Sequence, residues 1–224
     1  MITPAFIRTM AEYNAEMNRR LYGAAARLSD AERRMPRGAF WGSIQGTLSH
    51  ILWGDQQWMS RFDNWAKPTT PIKQSAGMIE DFTVLRADRE TADSDISRWA
   101  DKVDDAWLTE DLTWFSGAAN REVRAPLRLL VTHFFNHQTH HRGQVHAMLT
   151  AAGQETGDTD LFLVVPRSSA ARSRPSASAR RNGNPEAHQR DWSNDVPFCI
   201  RAEGGLGKTS LAGRTRRDLS LGPR

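Results

Sequence analysis

VTHFFNHQTHHRGQVHAML, residues 131–149, carries five of the chain's seven histidines. A helix advances about 100° per residue, so positions four apart share a face. His133, His137 and His141 are spaced that way. Leu130, Phe134, Gln138, His141, Val145, Met148 and Leu149 trace an apolar stripe at helical spacing. His141 lies on that stripe, His137 at its edge and His133 further round, while His140 and His146 point elsewhere. Two imidazoles one turn apart at the wall of a core can hold one divalent metal. The competing reading is plain polar helix surface.

Working outward, Pro126 starts this helix and Gly153 ends it. Before it, Leu112-Thr113-Trp114-Phe115 and Glu122-Val123-Arg124 flank Gly117 and Asn120, which predicts a small hairpin or an irregular crossing. Met78, Phe82, Leu85, Ala92, Ile96 and Trp99 alternate four and three apart, with Arg89 completing the series, and predict a helix over Ser75 to Asp101. Residues 67–73, KPTTPIK, form a turn-rich connection. Ser43 caps a further helix whose stripe is Ile44, Leu48, Ile51, Leu52, Met59 and Phe62. Thr3-Pro4 opens the first helix, with Phe6, Met10, Tyr13, Met17, Leu21 and Ala25 as its apolar face, running to Leu28. Four amphipathic helices, with a long crossing between the third and fourth, predict an all-α four-helix bundle over residues 1–166.

Charge divides the chain at the same place. Residues 1–166 carry 18 Lys and Arg against 21 Asp and Glu, whereas residues 167–224 carry 12 against 5. The basic character belongs to this Arg- and Ser-rich tail, which predicts disorder there and argues against specific nucleic-acid binding by the domain. No run approaches the roughly 18 apolar residues of a membrane span. The first residues, MITPAFIRTMAEYN, lack a signal-type apolar core, so a soluble cytoplasmic protein is expected. The single cysteine, Cys199, lies in the tail, which leaves the domain without a thiol of its own. Residues 204–210, GGLGKTS, imitate a phosphate loop, but Ala202 stands where the pattern needs glycine and no strand–loop–helix context surrounds it.

A catalytic metal site usually takes three protein ligands and keeps a place for water or substrate. With His137 and His141 on one helix, a third must come from elsewhere. His50 is the only histidine outside this helix in residues 1–166. His133 competes, but three ligands over two turns of one helix diverge too far to close on one ion. Imidazoles suit zinc, nickel, iron and manganese alike. Asp55 sits inside an apolar stripe, where a solvated carboxylate is not expected. It either pairs with an arginine such as Arg142 or orients a ligand imidazole, and it is the candidate catalytic residue.

Residues 37–58, RGAFWGSIQGTLSHILWGDQQW, residues 136–153, NHQTHHRGQVHAMLTAAG, and residues 157–161, GDTDL, together resemble the DinB family of the wider DinB/YfiT-like metalloenzyme superfamily. The resemblance covers roughly residues 5–166. It implies a four-helix bundle, usually dimeric, with a divalent metal held by His50, His137 and His141. Gln45 stands where many relatives would carry histidine. The resemblance further implies a metal-dependent transferase using a low-molecular-weight thiol and a small electrophile, with zinc or nickel foremost and iron or manganese as alternatives. Hydrolysis by metal-bound water, with Asp55 as base, and a non-enzymatic metal-stabilised stress-response or binding module are the rival readings.

Overall fold

The structure is a computed structural model, and it describes residues 2–165 apart from residue 118. The expected disordered tail, Cys199 and the phosphate-loop imitation lie outside the described residues. The described part is mostly helical. Its elements are α1 (Pro4–Ala25), α2 (Asp30–Arg34), α3 (Ile44–Phe62), α4 (Phe82–Lys102), β1 (Asp111–Ser116), β2 (Arg121–Pro126), α5 (Leu127–Ala151) and α6 (Leu161–Val164). Short 3₁₀ turns occupy Ile72–Gly77 and Trp107–Thr109. No helix among them is long and apolar enough to cross a membrane.

Local chemistry sets the ends of the long helices. Thr3 accepts from the Phe6 amide with Pro4 in the first turn, and Ser43 accepts from the Gly46 amide. Asp81 accepts from the amides of Thr83 and Val84, and so α4 begins at Phe82 rather than at Ser75. The expected helical turns before it are instead a 3₁₀ turn, which holds Ser75 fully buried. The first helix likewise stops at Ala25, short of Leu28. The segment around Trp114 is a hairpin, with Trp114 opposite Val123.

α1 packs on α4 and α5, and α3 packs on α4 and α5. The apolar core falls into two clusters. One gathers Ile7, Met59, Phe62, Trp99 and Phe134. The other gathers Leu21, Leu48, Leu85, Val145 and Leu149. The starts of α1 and α5 share the first cluster with the ends of α3 and α4, so these two pairs run in opposite directions. Parallel neighbours need a connection as long as themselves, and residues 63–81 supply it between α3 and α4. The long crossing expected between the third and fourth long helices is therefore misplaced: that later connection, which carries the hairpin, stays at one end, because α4 ends and α5 starts in the first cluster, on which Trp107, Leu112 and Trp114 also pack.

Between the clusters lies a buried polar layer. Arg89 Nη1 donates to Asp55 Oδ2 at 2.5 Å, and Gln138 Nε2 donates to Asp55 Oδ1 at 2.9 Å. Asn14 donates to Gln138, and Asn18 donates to Asp93 at 2.9 Å. Arg89 Nη2 stands 2.9 Å from Asp93, an ionic contact rather than an aligned hydrogen bond. These links tie α1 to α4 and α5. The predicted Met17, Leu21 and Ala25 are buried, but in the first half of the helix Ile7, Ala11 and Asn14 take the inner positions, while Met10 and Tyr13 are half-buried and Phe6 is exposed. Asn14 and Asn18 each donate one amide N–H to a fixed partner, and Phe6 keeps an edge contact with Phe135.

Candidate metal centre

His50 comes from the second turn of α3. Gly38 and Gly42 take φ of 76° and 80° in the loop ahead of it, a region that suits glycine. That loop lays the Trp41 indole on the imidazole at 3.9 Å between centroids and 22° between planes. Opposite, Ser75 Oγ lies 2.8 Å from His50 Nδ1. Ser49 donates to the Ser75 carbonyl at 2.8 Å and fixes the 3₁₀ turn to α3. A serine hydroxyl accepting from Nδ1–H leaves the Nε2 lone pair free for a metal.

His137 and His141 enter from α5. His50 Nε2 is 3.3 Å from His137 Nε2. Ligand nitrogens on a tetrahedral ion sit about 3.4 Å apart when each bond is about 2.1 Å. His141 Nδ1 lies 2.8 Å from Gln144 Oε1, and donating to it frees Nε2 as at His50. One ligand atom from each of the three histidines falls within 4.8 Å of the others. Gly54 lets the two helices meet here, since a Cβ on it would lie 2.9 Å from His137 Cε1. His133 stays outside this group, exposed, with its ring 5.9 Å from that of His137. His140 is exposed beside His141.

Burial holds the His50 imidazole down at about 3, and the neighbouring imidazoles of His137 and His141 push the same way. Burial lowers His137 to about 4, with His141 and His133 adding to it. His141 is lowered by burial while its bond to Gln144 resists. Three neutral imidazoles with converging lone pairs are what a divalent ion requires, so the side chains fit a metal. The group could hold such an ion, and its chemistry does not name which.

Asp55 faces the other way. It is fully buried, and its two oxygens take Arg89 and Gln138. The arginine that pairs with it is Arg89, not Arg142, which donates to Thr139 and lies over the Tyr13 ring. Burial pushes the Asp55 carboxyl up, and the facing guanidinium holds it back. No hydrogen bond joins it to the three imidazoles among the described residues, so any effect on them passes through Gln138, the neighbour of His137.

The sequence reading did not single out Ser75 or Trp41. Ser75 carried no signal, because a serine at the edge of a predicted helix looks like any other. Arg89 did carry one, as a cation completing an apolar seam.

No match was found among curated proteins or among solved structures. A family profile described as the DinB family matches residues 1–168, three quarters of the chain, and spans every residue of the site. The chain belongs to the DinB family.

Proposed function

We propose that this DinB-family chain is a four-helix bundle that binds one divalent metal through His50, His137 and His141, and is a metal-dependent transferase using a low-molecular-weight thiol. The convergence of three neutral imidazoles from α3 and α5 within 4.8 Å supports the metal. Three ligand side chains, where a structural zinc site closes with four, leave a place for an outside ligand. Residues 1–166 contain no cysteine, which fits a thiol brought by the substrate.

When bound, a divalent ion supplies Lewis acidity that lowers the pKa of a thiol. In the transfer, the thiol sulfur bonds to an electrophilic carbon, the leaving group departs with the bonding pair, and the thiol proton passes to water. The chain's own part is to hold the site. Ser75 and Gln144 fix the ring tautomers, and Trp41 covers one face of His50. Asp55 acts as a positioning group through Gln138. The family resemblance adds a homodimer, which light scattering would check.

Elemental analysis of the purified full chain beside His50→Ala and His137→Ala tests the metal. About one metal per chain, lost in both variants, is expected. Metal retained in His50→Ala would remove His50 from the ligand set. A screen of thiols with electrophiles, with and without chelation, tests the transfer. Metal-loaded protein that accelerates no thiol consumption would leave the site as a binding module.

A further inference from the structure

Past the imidazoles, α3, α5 and the hairpin carry a run of neighbouring rings. Trp58 of α3 stands 5.2 Å from the His133 ring, and Trp114 of the hairpin stands 5.9 Å from Trp58. The Arg61 guanidinium lies 4.8 Å from the Trp58 ring and 5.8 Å from that of Trp114. His50, Gly54, Trp58 and Arg61 follow one another at spacings of four, four and three, so they share one face of α3. Eleven residues of helix rise about 16 Å, which sets the length of the run.

Arg61 is half-buried, and among the described residues it has neither a carboxylate within 4.0 Å nor a hydrogen bond to protein. Burial lowers its pKa with no acidic neighbour to offset this. The nearest acidic residue in sequence, Asp63, contacts Lys102 at 3.7 Å instead. None of the Arg61 nitrogens is among the buried unpartnered atoms, so the guanidinium stays open to an anion from solution. A guanidinium lying over an aromatic ring keeps its in-plane N–H groups free, and their fork matches a carboxylate. The exposed His133 lies beside Trp58 at the imidazole end of this run. One fixed positive charge suits a monoanion better than a phosphate dianion.

The geometry points to a carboxylate-binding subsite: Arg61, over Trp58 and Trp114, takes the carboxylate end of an elongated ligand whose other end reaches His50, His137 and His141. The apolar middle of that ligand lies along Trp58 and the His133 ring. This rests on the thiol reading only for the group at the metal end.

The test is calorimetry on the zinc-loaded full chain. The probes are an ω-mercaptoalkanoic acid long enough to span the run, its primary amide, and mercaptoacetate, which is too short. The long acid should bind about tenfold tighter than its amide, the worth of one charge-assisted fork. Arg61→Gln should erase that difference and Arg61→Lys should recover part of it, with both variants holding metal normally. Mercaptoacetate should be indifferent to either substitution. An acid that keeps its advantage in Arg61→Gln, or that shows none in the unaltered protein, overturns the subsite. The matching alkanoic acid without the thiol separates the two readings. Sensitivity of its binding to Arg61→Gln would uphold the subsite even if a cobalt-loaded sample showed, by its near-ultraviolet absorption, that no thiol reaches the ion.

Discussion

Ser75→Ala removes one hydroxyl and leaves the rest of the centre in place. The turn around residue 75 is held through its backbone, because Ser49 donates to the Ser75 carbonyl and that bond survives the substitution. Only the 2.8 Å link to His50 Nδ1 is lost. Without it the imidazole is free to carry its proton on either nitrogen, and the ring loses one of the two supports that fix its plane. The other support, the Trp41 indole, remains at 3.9 Å. Removing such a partner of a ligand histidine lowers metal affinity about 10–100-fold, or about 1.4–2.7 kcal/mol. The alanine also buries no orphaned donor on its own side, so fold stability should change far less than affinity. Competition for zinc against a chromophoric chelator, beside Ser75→Thr as the hydroxyl-retaining control, measures this. Equal zinc affinity in Ser75→Ala and the unaltered chain would refute the tautomer argument, and with it the claim that the 3₁₀ turn serves the site.

Three further outcomes follow from the same geometry. Gly54→Ala places a methyl group 2.9 Å from His137 Cε1, about half an ångström inside ordinary contact, so it should displace that imidazole and cut metal content while the metal-free protein melts normally; full metal occupancy by elemental analysis would contradict it. In the metal-free chain, unfolded histidines take up protons below about pH 6.5, whereas His50 and His137 in the fold wait until about 3 and about 4. The unfolded state therefore binds more protons across that interval, and stability falls as pH drops, by up to about 1.4 kcal/mol per unit for each imidazole; urea midpoints flat between about pH 7 and 5 would show the rings already charged in place. Arg89→Met strips the cation from between Asp55 and Asp93 and should cost about 3–5 kcal/mol in urea unfolding, a loss under about 1 kcal/mol being incompatible with a charged layer.

Much of this was legible in the α5 string, because it carries two periodicities at once. The apolar residues at Leu130, Phe134, Val145 and Leu149 are buried as their spacing requires, and His137 sits at the edge of that stripe, half-buried. His50 was legible only by elimination, since its own helix gave it no inward direction. Other features depend on partners far away in the chain. Asn14 and Asn18 face inward because Gln138 and Asp93 wait there, and no local pattern distinguishes an inward asparagine from a solvated one. Ser75 matters because residues 63–81 must travel the length of α3, which brings a residue from that crossing against His50. The crossing follows from parallel packing of α3 and α4, a tertiary fact that helix periodicity does not contain.

The polar layer and the metal centre are two sides of one helix. His137 and Gln138 are adjacent, as are His141 and Arg142, so each pair points about 100° apart. The first member of each pair turns its imidazole to the candidate metal centre. The second member is buried on the neighbouring face, and Gln138 is tied to Asp55 and Asn14. Rolling α5 about its axis to misalign the imidazoles would tear these buried bonds, and leaving such groups unpaired costs about 1–3 kcal/mol each. An apolar layer would resist that roll less, because dispersion contacts re-form at many angles whereas a bond to Asp55 forms at one. On this argument the charged layer is kept less for its net stability, which buried ion pairs supply poorly, than for setting the rotation of the helix that carries two of the three ligands.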